Sequence, residues 1–248
     1  VALISGGGGD IGCAIALEFA RQGADLSLMD LKEQAQVQPF LDELAAQGVR
    51  VYYRKTDISD PEDVREWVNE SETQLGVATA VVSNVGIVTR RSVLEMSPEE
   101  WRHEFDVNLH GSFYFAQAAA QRMIHHGVPG SIVFMGSWAA HRPNSSIPAY
   151  CVSKAGLRML CQVLAIELAP HGIVVNEISP GIVNAGLSKA NVQATTNVKE
   201  RIPLGIWIEP EEIAWQAANL CDPRNRNMTG HVSVIDGGLS MTNTWAKR

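Results

Sequence analysis

The sequence predicts an α/β fold in which a seven-stranded parallel sheet is doubly wound, with helices on both faces. Three observations carry this. Strand-like and helix-like runs alternate along the chain, the pattern that right-handed crossovers between parallel strands produce. Most strand-like runs are apolar on both faces, as strands covered from both sides must be. A glycine-rich run also sits where the first strand turns into the first helix, and sheets of this kind bind ligands at the carboxyl ends of their strands.

The first strand is VALIS, residues 1–5. The chain thus opens inside a strand, so an upstream segment, which leaves room for a removed targeting sequence, is expected before it. IGCAIALEFARQG follows with apolar residues at helical spacing, and Gly23 closes it as a C-cap. The second strand is ADLSLMD (24–30) and the second helix KEQAQVQPFLDELAAQG (32–48). VRVYYRKTD (49–57) is the third strand, and Asp60-Pro61 starts a helix over 61–76, since proline suits the first helical turn. ATAVVSN (78–84) is the fourth strand; Ser97-Pro98 then starts a long helical run to residue 127. GSIVFMGS (130–137), a helix over 149–172, GIVVNEIS (172–179) and HVSVIDG (231–237) complete the series. With no linker or repeat, residues 1–248 read as one domain.

Bulk properties narrow the function. The chain is 46% hydrophobic and 19% charged, ordinary globular values. A net charge of -7 and a pI near 5.5 argue against nucleic acid, which needs a basic stripe. No apolar run approaches the roughly 20 residues of a membrane span. Cys13, Cys151, Cys161 and Cys221 follow no metal-binding spacing, so they read as reduced thiols of a cytoplasmic protein and no metal is expected.

The chemistry lies at the strand ends. Ser5-Gly6-Gly7-Gly8-Gly9-Asp10-Ile11-Gly12 leads from strand to helix. Glycines there let backbone amides approach a pyrophosphate at the helix N-terminus. Asp30 ends the second strand, where an acidic residue accepts the hydroxyls of an adenosine ribose. Tyr150 and Lys154 stand at i,i+4 and so share one helix face. A lysine cation beside a phenol favours the phenolate and brings a poor base nearer to working range. Ser137, thirteen positions before the tyrosine, can hold a substrate oxygen while the phenol trades its proton.

Taken together, these motifs resemble the short-chain dehydrogenase/reductase family in its one-domain form, over essentially the whole chain. The resemblance implies a Rossmann-type fold and a nicotinamide cofactor, here NAD. It implies that Ser5, Gly6, Gly9, Asp10, Ile11 and Gly12 cradle the cofactor and that Asp30 and Leu31 face its adenosine ribose. Asp57-Ile58 would meet the adenine, and Asn84-Val85-Gly86 corresponds to the Asn-Ala-Gly turn. Pro180-Gly181 with Val183 would border the nicotinamide, and Thr229 to Gly238 matches the closing TGxxxxVDGG. Asn108, Ser137, Tyr150 and Lys154 would form the catalytic set. In it Tyr150 moves the proton, Lys154 lowers the phenol pKa, Ser137 orients the oxygen and Asn108 holds a relay water.

Three departures stand out. Asp10 replaces a glycine and puts a negative charge near the pyrophosphate, although Asp also suits a helix start. Val85 replaces a small residue. Ala185 stands where a threonine usually bonds the nicotinamide carboxamide, with Asn184 before it as the only substitute.

Substrate walls are expected at 138–148 and at 187–201, within a lid over 185–205. Their polar content, with Trp138, His141, Arg142, Asn144, Ser145 and Ser146 in the first and Ser188, Asn191, Gln193, Thr195, Thr196 and Asn197 in the second, suits a hydroxyl-rich ligand. Arg90, Arg91 or Arg142 could anchor an acidic group. The expected substrate is a sugar, polyol or sugar acid. The alternatives are a 3-oxoacyl thioester reductase and a nucleotide-binding regulator without turnover. Apolar faces around Phe113, Phe115, Ala116, Ala118 and Ala119, and around Leu157, Leu160, Leu164 and Ile166, together with the resemblance, suggest a homotetramer.

Overall fold

In the computed structural model, residues 1–188 and 199–242 are described. Seven strands form one parallel sheet: β1 (Ala2–Ser5), β2 (Leu26–Asp30), β3 (Val51–Lys55), β4 (Ala80–Ser83), β5 (Gly130–Met135), β6 (Ile173–Pro180) and β7 (Val232–Ile235). Their order is β3-β2-β1-β4-β5-β6-β7. The order reverses between β1 and β4, so a crevice opens beyond their carboxyl ends at the switch point. The residues that follow these two strands, Gly6 and Asn84, both lie there.

The helices are α1 (Asp10–Arg21), α2 (Gln34–Ala45), α3 (Pro61–Leu75), α4 (Pro98–Phe105), α5 (Gly111–His126), α6 (Pro148–Leu168) and α7 (Pro210–Cys221). Their starts follow local chemistry. Asp60 accepts the amides of Glu62 and Asp63 ahead of Pro61, and Ser97 forms a reciprocal capping box with Glu100 ahead of Pro98. Gly23, at φ +81, closes α1 as expected.

Two features depart from the sequence reading. The single helix expected over 98–127 is broken by a π-helical turn at Asp106–His110, and this turn carries Asn108. Helix α7 was not among the helical segments read from the sequence. Its signals are a Glu209–Glu212 capping box, Pro210 in the first turn and a buried stripe of Ile213, Ala214, Ala217 and Leu220.

Two apolar clusters line the two faces of the sheet. One gathers Ile4, Ile15, Phe19, Leu28, Val82, Val133 and Ile213; the other gathers Leu3, Trp67, Val81, Phe115, Phe134, Leu157 and Val175. Neighbouring residues of a strand therefore serve opposite cores, which explains the apolar runs. Against the sequence expectation, the helical stretch Pro148–His171 is by length and composition long and apolar enough to cross a membrane. In this fold it is a sheet-packing helix, whose Leu157, Cys161, Leu164 and Leu168 are buried in the second cluster.

Candidate active site

The glycine turn has the shape that a pyrophosphate needs. Gly6 adopts φ +67, and a Cβ on Gly12 would lie 2.0 Å from the Gly6 carbonyl oxygen. The backbone there packs against itself too closely for any side chain. Ser5 is buried, and its hydroxyl accepts the amides of Asn84 (2.9 Å) and Val85 (3.4 Å). Asn84 returns a bond from Nδ2 to the Ser5 carbonyl at 3.2 Å. The turns after β1 and β4 are thereby stapled together.

Asp30 Oδ2 accepts the Gly8 amide at 3.1 Å and Oδ1 the Lys32 amide at 3.3 Å. Each carboxylate oxygen keeps a lone pair for a ribose hydroxyl. Lys32 folds back onto the same turn, with Nζ 2.7 Å from the Gly8 carbonyl. Leu31 is exposed beside them. Asp57 is engaged with the Ser59 amide and hydroxyl, while Ile58 is buried. A Cβ on Gly86 would come within 3.5 Å of both Asn108 Oδ1 and Lys154 Nζ. These features fit a bound dinucleotide reaching from the glycine turn to the lysine.

Asp10 does more than start α1. Its Oδ2 accepts the Gly186 amide at 2.9 Å, 176 residues away, so it ties the glycine turn to the base of the expected lid. Val183 is buried and bridges to Ile208. A Cβ on Gly181 would meet Asp236 Cα at 2.7 Å, which accounts for glycine after Pro180. Ala185 is buried, and the Asn184 amide is spent on the Glu209 carboxylate at 3.1–3.2 Å. Residues 189–198 of the lid, including Asn191, Gln193, Thr195, Thr196 and Asn197, lie outside the described residues.

The structure brings Ser137, Tyr150, Lys154 and Asn108 together. Ser137 lies two residues past β5, is buried, and accepts the Ala139 amide at 3.2 Å. Lys154 is 2% exposed, and its Nζ donates to the Met135 carbonyl at 2.6 Å and sits 5.7 Å from the Tyr150 ring centroid. Asn108 is clamped by Ile87: Oδ1 accepts the Ile87 amide (2.8 Å), and Nδ2 donates to the Ile87 carbonyl (3.0 Å) and to Ser153 Oγ (3.2 Å). Both amide protons are thus used to tie the loop after β4 to α6. The π turn carries this buried side chain, and π-bulges recur at functional sites.

Electrostatics set the chemistry. Part of Tyr150 reaches solvent, yet desolvation around its phenol pushes it up to about 12, and a hydrogen bond from Ser137 pulls the other way. Desolvation lowers Lys154 to about 8, opposed by the carboxylates of Glu177 and Glu104. Neither carboxylate figures in the sequence reading. Both are buried and raised by desolvation, and each keeps one buried oxygen without a hydrogen-bond partner.

The residues expected to meet substrate are mostly engaged elsewhere. His141 bonds Ser179 and Arg158. Arg142 ties down the Leu239 carbonyl and Thr242 hydroxyl. Asn144 Oδ1 closes a local turn onto Ser146, and Arg91 lies near Glu100 at 3.5 Å. Arg90 is exposed, and Trp138 is half-buried at the serine.

A family model described as "Enoyl-(Acyl carrier protein) reductase" matches residues 8–240. L-rhamnose 1-dehydrogenase (NAD(P)(+)) of Sphingomonas sp. (strain SKA58) is 32% identical over 240 residues, covering 96% of this chain and 94% of its own. The chain belongs to the short-chain dehydrogenase/reductase family. L-rhamnose-1-dehydrogenase of Scheffersomyces stipitis is 36% identical over 245 residues, covering 96% and 95%. A short-chain type dehydrogenase/reductase from Mycobacterium marinum superposes with a TM-score of 0.93 at 33% identity, covering 97% of this chain and 95% of that one. This short-chain dehydrogenase/reductase is therefore an oxidoreductase acting on alcohols, of a family that uses NAD(P).

Proposed function

We propose that the enzyme oxidises a secondary or anomeric hydroxyl of a sugar, polyol or sugar acid, prefers NAD, and uses Tyr150 as its acid/base. The observation that carries this is the convergence of Ser137, Tyr150 and Lys154 beyond the end of β5, with the Ser137 hydrogen bond acting on the phenol and Lys154 Nζ 5.7 Å from its ring. The two rhamnose dehydrogenases support a sugar substrate and attack at its first carbon.

When bound, the nicotinamide cofactor supplies the hydride acceptor for oxidation or the donor for reduction. The chain supplies orientation and proton transfer. Ser137 holds the substrate oxygen. Tyr150 takes the hydroxyl proton in oxidation and returns it in reduction. Lys154, while cationic, stabilises the phenolate across the ring. Asn108 keeps the loop after β4 and helix α6 in register through Ile87 and Ser153. The glycine turn, with Asp30, Asp57, Ile58, Asn84, Val85, Gly86, Pro180, Gly181 and Val183, would hold the cofactor.

The Asp30 carboxylate favours ribose hydroxyls and repels a 2′-phosphate. Lys32, anchored 2.7 Å from the Gly8 carbonyl, offsets part of that repulsion, so NADP is used at lower efficiency. The outer faces of α5 and α6 expose Phe113, Ile124, Val152, Met159, Val163 and Ile166, and we propose that copies of the chain pair on them to form a tetramer.

The test is an absorbance screen with NAD and NADP, pitting aldoses, polyols and sugar acids against sterols and acetoacetyl thioesters. Turnover confined to sterols or thioesters overturns the substrate assignment. Tyr150→Phe should lower kcat by at least about 10²-fold, the lower range for general acid/base catalysis, with NADH binding kept. Retained kcat overturns the assignment of Tyr150.

A further inference from the structure

We propose that Glu177 is a positioning residue that keeps Lys154 cationic beside Tyr150; the proposal rests on Tyr150 and Lys154 being the acid/base pair. Glu177 lies on β6, opposite Phe134 of β5 and one step from the Met135 pair. The Met135 carbonyl is the one that receives Lys154 Nζ. The Glu177 side chain runs along Gly136, where a Cβ would lie 2.0 Å from its Oε1. The carboxylate is thus wedged behind the Met135-Gly136-Ser137 segment, which carries both the lysine anchor and the catalytic serine.

A fully buried carboxylate on a central strand is costly without compensation. The compensation is directional. Arg158 Nη1 lies 3.1 Å from His141 Nδ1, and His141 Nε2 lies 3.2 Å from Ser179 Oγ. Ser179 donates in turn to Glu177 Oε1. Arginine has only donors, so His141 Nδ1 must accept and its proton must sit on Nε2. Burial and Arg158 both lower the His141 pKa, in keeping with that neutral tautomer. Every bond in the chain then points its proton toward Glu177, the arrangement that stabilises an anion.

Among the described residues the carboxylate faces two cations, Lys154 and Arg158, and Lys154 is the one beside Tyr150. Lys154 is faced by Glu177 from β6, by Glu104 from α4 and by Tyr150 on its own helix, and Glu177 is the larger upward influence. Glu177 in turn faces Lys154, Arg158 and the Cys161 thiol from α6; His141 also feels Asp236. Glu104 differs in kind, because its charge raises the Tyr150 phenol as well as Lys154. Lysine aids the phenol only while protonated, and burial brings Lys154 to about 8. Whether the cation persists at working pH therefore depends on its buried counter-charge.

The sign follows. Removing the Glu177 charge lowers the Lys154 pKa, so the cation is lost at lower pH. Glu177→Gln should move the basic limb of the kcat/KM profile for alcohol oxidation toward acid by roughly one pH unit or more, the scale of one nearby charge. The Kd for NADH and kcat below that limb should stay near wild type. Ser179→Ala, which removes the donor to the carboxylate and alters no charge, should move the limb in the same direction by less. An unmoved limb in Glu177→Gln overturns the proposal. If that variant fails to bind NADH, Ser179→Ala decides by the same reading, and an unmoved limb there overturns it. Tyr150→Phe is run alongside: an active Tyr150→Phe defeats the acid/base assignment itself, whereas an inactive one with an unmoved Glu177→Gln limb defeats only the role of Glu177.

Discussion

Gly136 and Glu177 should be energetically coupled, and the coupling can be worked from their geometry. Gly136 is not among the residues with positive φ, so its backbone accepts alanine. The obstacle is steric: the new Cβ would stand 2.0, 2.5 and 2.8 Å from Glu177 Oε1, Cδ and Cγ, where ordinary contact is 3.4–4 Å. Glu177 is 0% exposed and has no open side to move into. Overpacking of this kind costs about 1–3 kcal/mol. Displacing the carboxylate also breaks its bond from Ser179, and bonds to charged groups contribute roughly 1.5–3 kcal/mol. Gly136→Ala should therefore cost roughly 2.5–6 kcal/mol. Glu177→Ala removes all three clashing atoms, so the double variant should be more stable than the sum of the single effects. We expect a coupling of about 1–3 kcal/mol, in the upper part of the roughly 0.5–3 kcal/mol found for residues in contact. At this chain length, 1 kcal/mol corresponds to about 2–4 °C in Tm. Thermal unfolding of the four proteins, with NADH binding as a check of the fold, measures it. Additivity within about 0.5 kcal/mol would refute the steric reading.

Glu72 gives a second test. Arg122 grips it through Nε at 2.6 Å and Nη2 at 2.7 Å, and His126 adds a contact at 2.8 Å. The Arg122 hydrogen bond is the main cause that holds the Glu72 carboxyl down at about 2, against an ordinary 4.5. A depressed carboxyl stabilises the fold above its unfolded pKa and loses that contribution as pH falls toward the folded one. Arg122→Gln should thus lower Tm at neutral pH and reduce the further loss of Tm between pH 4.5 and about 2; parallel Tm profiles would contradict it. For assembly, light scattering at micromolar concentration should give a tetramer, and Ile166→Glu, on the exposed face of α6, should reduce the mass. A monomeric wild type rules the tetramer out.

Local patterns made the sheet, the glycine turn and the Tyr150–Lys154 pair legible in the sequence. Apolar alternation reports how a strand is covered, and i,i+4 spacing reports a shared helix face. Both are properties of neighbours along the chain, so they survive without the fold. Even α7 was open to such reading, through Glu209, Pro210 and Glu212. The uses of the polar side chains were not. His141, Arg142 and Asn184 look like free substrate or cofactor donors in the sequence, but they are spent on Ser179, Leu239 and Glu209. Asp10 reads as a cost to the pyrophosphate and turns out to hold Gly186. Glu104 on a helix and Glu177 on a strand carry no signal in the sequence, yet both are fully buried near Lys154. The π turn that carries Asn108 is likewise invisible to helical spacing. These outcomes depend on groups brought together from 23 to 176 residues apart, for which periodicity carries no signal. Sequence alone determined the fold, the family and the placing of Tyr150 and Lys154 on one helix face. Only the tertiary structure decided which charges surround that pair, because a pKa depends on burial and on distance in space, and neither is a function of position along the chain.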